Sequence, residues 1–166
     1  MTGKRILVPV DLEKKSFDNV AFVAGLGIEM PVSVTLLYVV NLNVSALERR
    51  VYDELRKVSE QRLRALASLF FSNGSSSICV RVGRPHEQIL AEAEQGQAEL
   101  IVVASKTSSR RRWQFFPTTV ERVVREAPCL TLVLPCSWRI TPEQYRQATY
   151  TVPDIGHQAD QSFSVH

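Results

Sequence analysis

Apolar residues fall along this chain in two rhythms. Five short runs hold almost no alternation: Lys4–Val10 (KRILVPV), Val32–Val40 (VSVTLLYVV), Ser77–Val82 (SICVRV), Leu100–Ser105 (LIVVAS) and Leu130–Leu134 (LTLVL). Runs of branched residues of that length predict strands buried on both faces, as in a parallel sheet. Between them the period lengthens. From Ala46 to Phe70, Leu47, Val51, Leu55, Val58, Leu63, Leu66 and Phe70 recur mostly three or four apart among Arg, Lys and Glu, which predicts a long amphipathic helix. Ser16 is placed to cap a helix over Phe17–Leu26, with Gly25 and Gly27 near its end. Gly83-Arg84-Pro85 turns the chain into a third helix, with Pro85 in its first turn and Glu87 near its positive end, running to about Glu94. Thr118 and Glu121 have the spacing of a capping box and predict a fourth helix over Thr119–Glu126, stopping before Pro128.

Strands alternating with helices give a parallel sheet with helices on both faces, and right-handed crossovers leave few ways to wind it. Beyond Pro135 the pattern fades: the stretch 137–166 holds scattered aromatics, one short helical signal (Thr141, Pro142, Glu143 to Gln147) and no strong apolar period. The expected organisation is one domain over 1–136 followed by a C-terminal extension, 137–166.

Composition agrees with one domain of ordinary size. The 166 residues are 45% apolar and 22% charged, enough to bury a real core and unlike a disordered tail, a mini-protein or a multidomain enzyme. No uncharged apolar run approaches the roughly 18 to 20 residues of a membrane span, and Met1 to Asp11 carry no export signal, so a cytoplasmic protein is expected. Cys79, Cys129 and Cys136 lack CxxC spacing and read as reduced thiols.

The net charge of +3 changes the picture once it is located. Between Ala104 and Glu126 stand six basic residues (Lys106, Arg110, Arg111, Arg112, Arg122, Arg125) against two acidic ones, while the rest of the chain has 14 basic and 15 acidic residues. A local anion site at Lys106 and Arg110 to Arg112 fits better than attraction over the whole surface. Within the same segment RRRWQFF (Arg110–Phe116) interleaves arginines with aromatics. Its aromatics can pack the loop on the domain, or the loop can meet a protein, a membrane surface or single-stranded nucleic acid; one loop is small for a nucleic-acid footprint, and such a partner is not expected.

In an open parallel sheet, ligands sit beyond the carboxyl ends of the strands where the strand order reverses. If the first and fourth strands flank that point, Asp11 faces the loop that starts at Ala104. Its carboxylate can accept from an adenine amino group or ribose hydroxyls, and the helix start at Thr118 offers N–H groups to a phosphate. Alternatively Asp11 only caps its own turn. GxxxxGK[ST], GxGxxG and GxSxG are all missing. His86 begins a helix while His157 and His166 lie in the extension, so no metal site, Ser/His pair or other catalytic mechanism is expected.

Five blocks carry a resemblance: ILVPVD (Ile6–Asp11), VTLLYVV (Val34–Val40), VGRPHEQIL (Val82–Leu90), ELIVVAS (Glu99–Ser105) and TVERVVREAPCLTLVLP (Thr119–Pro135). In order and spacing the chain resembles the universal stress protein family over essentially the whole domain without the extension. The resemblance implies an α/β fold of the adenine nucleotide alpha hydrolase-like type: an open five-stranded parallel sheet of order 3-2-1-4-5 with two helices on each face. It also implies a homodimer through Leu130–Leu134, an apolar strand with an open edge. ATP-binding members carry Gly, two residues, Gly, nine residues, Gly and Ser or Thr after the fourth strand. On this chain that pattern meets Ala104, Thr107, Pro117 and Thr118, so the spacing survives and the glycines are gone. Pro9, Asp11 and Val39 match positions that hold base and ribose in those members, and Thr118 matches the hydroxyl near the phosphates.

Glycine lets amides approach a phosphate at positive φ, whereas Thr107 resists that conformation and Pro117 has no N–H; each change costs on the order of 1 kcal/mol in the old geometry. The resemblance therefore implies a non-enzymatic regulatory module of the stress response with nucleotide binding weak or lost, no required cofactor and an unknown protein partner. Two alternatives stay open. One is an ATP- or AMP-binding switch holding ligand through Asp11, Val39 and Thr118. The other is an adaptor whose basic aromatic loop docks on a transporter, membrane or nucleic acid.

Overall fold

Each apolar run becomes a strand and each longer period a helix. The computed structural model describes residues 3–13, 17–41, 49–71, 74–105 and 118–135. In chain order these form β1 (Lys4–Val10), α1 (Asp18–Glu29), β2 (Val32–Val40), α2 (Arg49–Phe70), β3 (Ser76–Val82), α3 (Pro85–Gln95), β4 (Leu100–Ala104), α4 (Thr119–Glu126) and β5 (Leu130–Leu134). The strands make one parallel sheet of order β3-β2-β1-β4-β5. The extension lies outside the described residues, as does Cys136. Among the described residues no helix is long and apolar enough to cross a membrane.

The pleat divides the strands' side chains between two cores. Ile6, Val8 and Val10 of β1, with Val34 and Leu36 of β2, pack with Val20, Val23, Leu63, Leu66 and Phe70 under α1 and α2. Leu7, Leu37, Ile101 and Val103 turn the other way and meet Ile89 and Ala93 of α3 and Val123 of α4. Burial on both faces explains why these strands read as unbroken apolar runs. Between β3 and α3 the chain turns at Gly83, whose φ of +136° disfavours a side chain and whose N–H donates to the Val40 carbonyl at 3.1 Å.

Two helices depart from the sequence reading. α1 runs to Glu29, through Gly25 and Gly27, and stops at Met30 just before Pro31, because a residue preceding proline avoids helical backbone. Its N-cap is Phe17, with no side-chain capping bond; Ser16 lies outside the described residues. In α2 the expected apolar stripe divides. Leu63, Leu66 and Phe70 are buried, while Val51, Leu55 and Val58 stay exposed. The reason is length: a helix of 22 residues extends about 33 Å, whereas the adjoining seven-residue β3 spans about 23 Å.

β1 meets its two neighbours unequally. With β2 it pairs along its whole length, from Lys4↔Val32 to Val10↔Tyr38. With β4 the register covers Ile6↔Leu100 and Leu7↔Ile101 alone. Glu99 closes the amino end of that junction: its backbone N–H donates to the Arg5 carbonyl at 2.9 Å, and its carboxylate accepts from the Arg5 N–H and from Lys4 Nζ, each at 3.0 Å. The Arg5 N–H, and next the Lys4 ammonium, hold the Glu99 carboxyl below its ordinary value.

A carboxyl whose folded value is depressed contributes stability above its unfolded value and loses it as pH falls through the folded one. Glu99→Gln is therefore expected to lower the thermal midpoint at neutral pH, with the gap to wild type closing as pH falls through and below the ordinary glutamate range. Melting curves across that range check it; a gap that does not change with pH contradicts the role given to the charge.

Candidate functional site

At the carboxyl edge, β1 ends at Val10 and Asp11 begins a turn. Asp11 Oδ1 accepts from the Glu13 N–H at 3.2 Å, so this carboxylate does cap its own turn. Two distant side chains pin the same turn. Buried Asn19, in the first turn of α1, donates Nδ2 to the Pro9 carbonyl at 2.9 Å. Arg62 of α2 donates to the Leu12 carbonyl. The Tyr38 hydroxyl of β2 sits close enough to feel both acids: burial first, then the Glu13 and Asp11 carboxylates, push its pKa up, and Arg62 opposes them.

Since Pro9 pairs with Leu37 and Val10 with Tyr38, the next step of the register sets Asp11 beside Val39, which packs against the α3 and α4 core. Across the junction, β4 ends at Ala104, paired with Leu134, and the Ser105 N–H donates to the Leu134 carbonyl at 2.8 Å. β4 thus stays joined to β5 to its end while its pairing with β1 stops at Leu7↔Ile101. The β1–β4 ladder lapses past Leu7↔Ile101, where Pro9 has no N–H to donate, and Asp11 and Ala104 stand at the carboxyl ends of these neighbouring strands, where the strand order reverses.

Thr118 caps α4 with extended backbone, and its hydroxyl accepts from the Glu121 N–H at 3.2 Å. The Glu121 carboxylate returns to the Thr118 N–H at 2.7 Å, completing the capping box. A helix start attracts anions through its unpaired N–H groups and its dipole. Here the anion at that position is the chain's own carboxylate. One turn on, the Arg122 guanidinium meets His86 Nε2 at 3.4 Å, which ties α4 to the start of α3.

Pro9, Asp11, Val39, Ala104 and Thr118 are thus all on elements that end or begin at one edge of the sheet, each half-buried. Lys106, Thr107, Arg110, Arg111, Arg112 and Pro117 lie outside the described residues. The sequence reading missed Asn19, Tyr38 and Arg62. Tyr38 stands in an apolar run that reads as core, and Arg62 on a helix face that reads as solvated; nothing local marks Asn19. Elsewhere the described residues offer little chemistry. They hold no group of three or more metal-binding side chains. Burial and then Glu92 push the Cys79 thiol up, and burial alone raises Cys129, so both free thiols are poor nucleophiles. A cavity of about 20 Å³ bounded by Arg5, Thr35 and Ala98 lies at the opposite edge and has room for one water.

Residues 3–135 match the sequence profile of the universal stress protein family. Among solved structures, universal stress protein UspA from Lactobacillus plantarum is 26% identical, with a TM-score of 0.53 over 81% of this chain and 99% of its own. A universal stress protein from Archaeoglobus fulgidus in complex with dAMP is 17% identical, with a TM-score of 0.55 over 80% of this chain and 98% of its own. A third, a universal stress protein in complex with cAMP, is 16% identical, with a TM-score of 0.56 over 81% of this chain and 98% of its own. No curated protein matches.

The capping carboxylate makes a direct prediction. Glu121→Gln keeps a side-chain acceptor for the Thr118 N–H and removes its charge, so affinity for inorganic phosphate is expected to rise about fivefold or more. Titration calorimetry on both proteins measures it, and equal affinities would mean that Glu121 does not compete with a phosphate.

Proposed function

The chain belongs to the universal stress protein family, and from that premise we propose that it is a non-enzymatic regulatory module of the stress response in which adenine-nucleotide binding is weak or lost. One observation carries the reading: the Glu121 carboxylate holds the Thr118 N–H at 2.7 Å, where a phosphate would seek its donors. A phosphate arriving there must displace a like charge, and two unit charges about 4 Å apart near a protein surface repel by about 4 kcal/mol. The sequence adds Ala104, Thr107 and Pro117 where the ATP-binding pattern has glycines.

A second reading has its own support. The Asp11 turn is held by Asn19 and Arg62, and Val39 lies beside it. That is the half of the site that would meet a base and ribose. Relatives of the same fold have been solved with cAMP and with dAMP, which favours an AMP-type ligand if this chain takes one. The adaptor reading rests on Lys106 and Arg110 to Arg112, and no described residue bears on it. A cytoplasmic setting is part of the proposal.

Calorimetry at about 150 mM salt, where surface attraction is screened within about 8 Å, tests the first reading against the second. The expected dissociation constant for ATP and for AMP is above about 100 μM. Tight binding abolished by Asp11→Ala and indifferent to replacement of Arg110 to Arg112 would overturn this reading and establish the switch. Binding that follows those arginines and fades with salt leaves the module in place, with an anionic partner.

The module is also proposed to be a homodimer through β5. That strand ends the sheet, and its Leu130 is 75% exposed; an apolar open edge of this kind invites pairing with its twin. Sedimentation at tens of micromolar, a range an ordinary interface withstands, should give a dimer, and Leu130→Lys a monomer. A wild-type monomer at that concentration contradicts the proposal.

A further inference from the structure

His86 stands in the first turn of α3 with its side chain 15% exposed, and its Nε2 lies between two groups of opposite charge. The Arg122 guanidinium of α4 is 3.4 Å away, and the Glu87 carboxylate of α3 is 3.9 Å away. Through the same oxygen Glu87 also pairs with Arg84, at 3.1 Å. An arginine stays charged and only donates, so its contact with Nε2 is attractive when that nitrogen keeps its lone pair. The neutral ring must then carry its proton on Nδ1. Histidine is the side chain that ordinarily changes charge between about pH 5 and pH 8, and this ring is covered yet within reach of solvent.

The other charges nearby among the described residues are engaged elsewhere. Further along α3, Glu92 accepts from Arg81 and Cys79 of β3. In α4, Glu121 accepts from the Thr118 N–H. The strand side chains under α3 and α4, Leu7, Leu37, Ile101 and Val103, are apolar. The choice at Nε2 therefore lies between Arg122 and Glu87. A protonated ring donates from both nitrogens and repels the guanidinium, while the carboxylate can accept from it. Among the described residues the His86 contact is the one polar side-chain tie between α3 and α4, whose shared core is otherwise apolar: Ile89, Ala93, Val120 and Val123. With eight residues α4 is too short to stand without its packing.

We propose that His86 is a pH-sensitive latch between α3 and α4. Neutral, its Nε2 accepts from Arg122 and ties the two helices together. Once it takes a proton from solvent, it gives up Arg122 for the Glu87 carboxylate and loosens α4, the helix whose capped start stands at the same edge of the sheet as Asp11. The latch works whether or not a nucleotide binds there.

Nitrogen NMR spectra of the histidine rings and amide hydrogen exchange on the full chain test it, using wild type, His86→Gln and Arg122→Gln. At about pH 8 the ring signals that vanish in His86→Gln should show Nε2 as the nitrogen without a proton. From about pH 8 to about pH 5 the protection of amides 122–126, corrected for the intrinsic pH dependence of exchange, should fall about threefold or more in wild type while the strands keep theirs. Glutamine keeps an acceptor for Arg122 and takes up no proton, so His86→Gln should protect α4 as wild type does at the upper pH and show no fall at the lower. If His86→Gln fails to fold, Arg122→Gln decides: it leaves no guanidinium for the charged ring to repel and should flatten the response. A proton on Nε2 at the upper pH, the same fall in wild type and in the variant, or a fall shared by the strands would each overturn the proposal.

Discussion

The site depends on β1 and β4 being neighbours where the strand order reverses. A parallel sheet that grows outward from its first strand in both directions must reverse its strand order there, and helices leave the two sides on opposite faces. In this chain the paired stretch of that junction lies toward its amino end. Glu99 ties the amino ends together through backbone and side chain, and the ladder stops at Leu7↔Ile101. β1 keeps β2 and β4 keeps β5 for the remaining residues. Asp11 and Ala104 thereby stand at the ends of neighbouring strands on one edge of the sheet, a juxtaposition that neither sequence neighbourhood contains alone.

Two groups of residues stand at that edge. On the β1 side, Asn19 and Arg62 fix the carbonyls of Pro9 and Leu12, so the Asp11 carboxylate is presented by a turn held from outside. On the α4 side, Thr118 and Glu121 satisfy each other. A capping box of this kind contributes about 1 kcal/mol to a helix end. Its larger consequence is electrostatic, because a carboxylate at a helix N-terminus has the dipole to itself and a phosphate must contest it. The turn at Asp11 is thus held by distant side chains, while the start of α4 is held by its own capping box.

Much of this was legible in the sequence because the strands are buried on both faces. β1, β2 and β5 coincide with their apolar runs, and α4 was announced by Thr118, Glu121 and Pro128. The order of the strands followed from the family resemblance. Less legible were features set by distance in space. Val51, Leu55 and Val58 obey the same helical period as Leu63 and Phe70, yet periodicity cannot say where the sheet beneath a helix ends. Arg62 reads as one more charge on a wet face until the fold brings it to Leu12. Thr118 and Glu121 were readable as a cap, but that α4 starts at the same edge of the sheet as Asp11 follows only from the fold.

The most direct test of the account is a crystal structure of the protein as purified from cells, read for density between Asp11 and the start of α4. The account predicts that the Glu121 carboxylate will be found on the Thr118 N–H, with no nucleotide beside Asp11. An adenine nucleotide carried through purification, its base beside Val39 and a phosphate on the Thr118 N–H with Glu121 turned away, would contradict it.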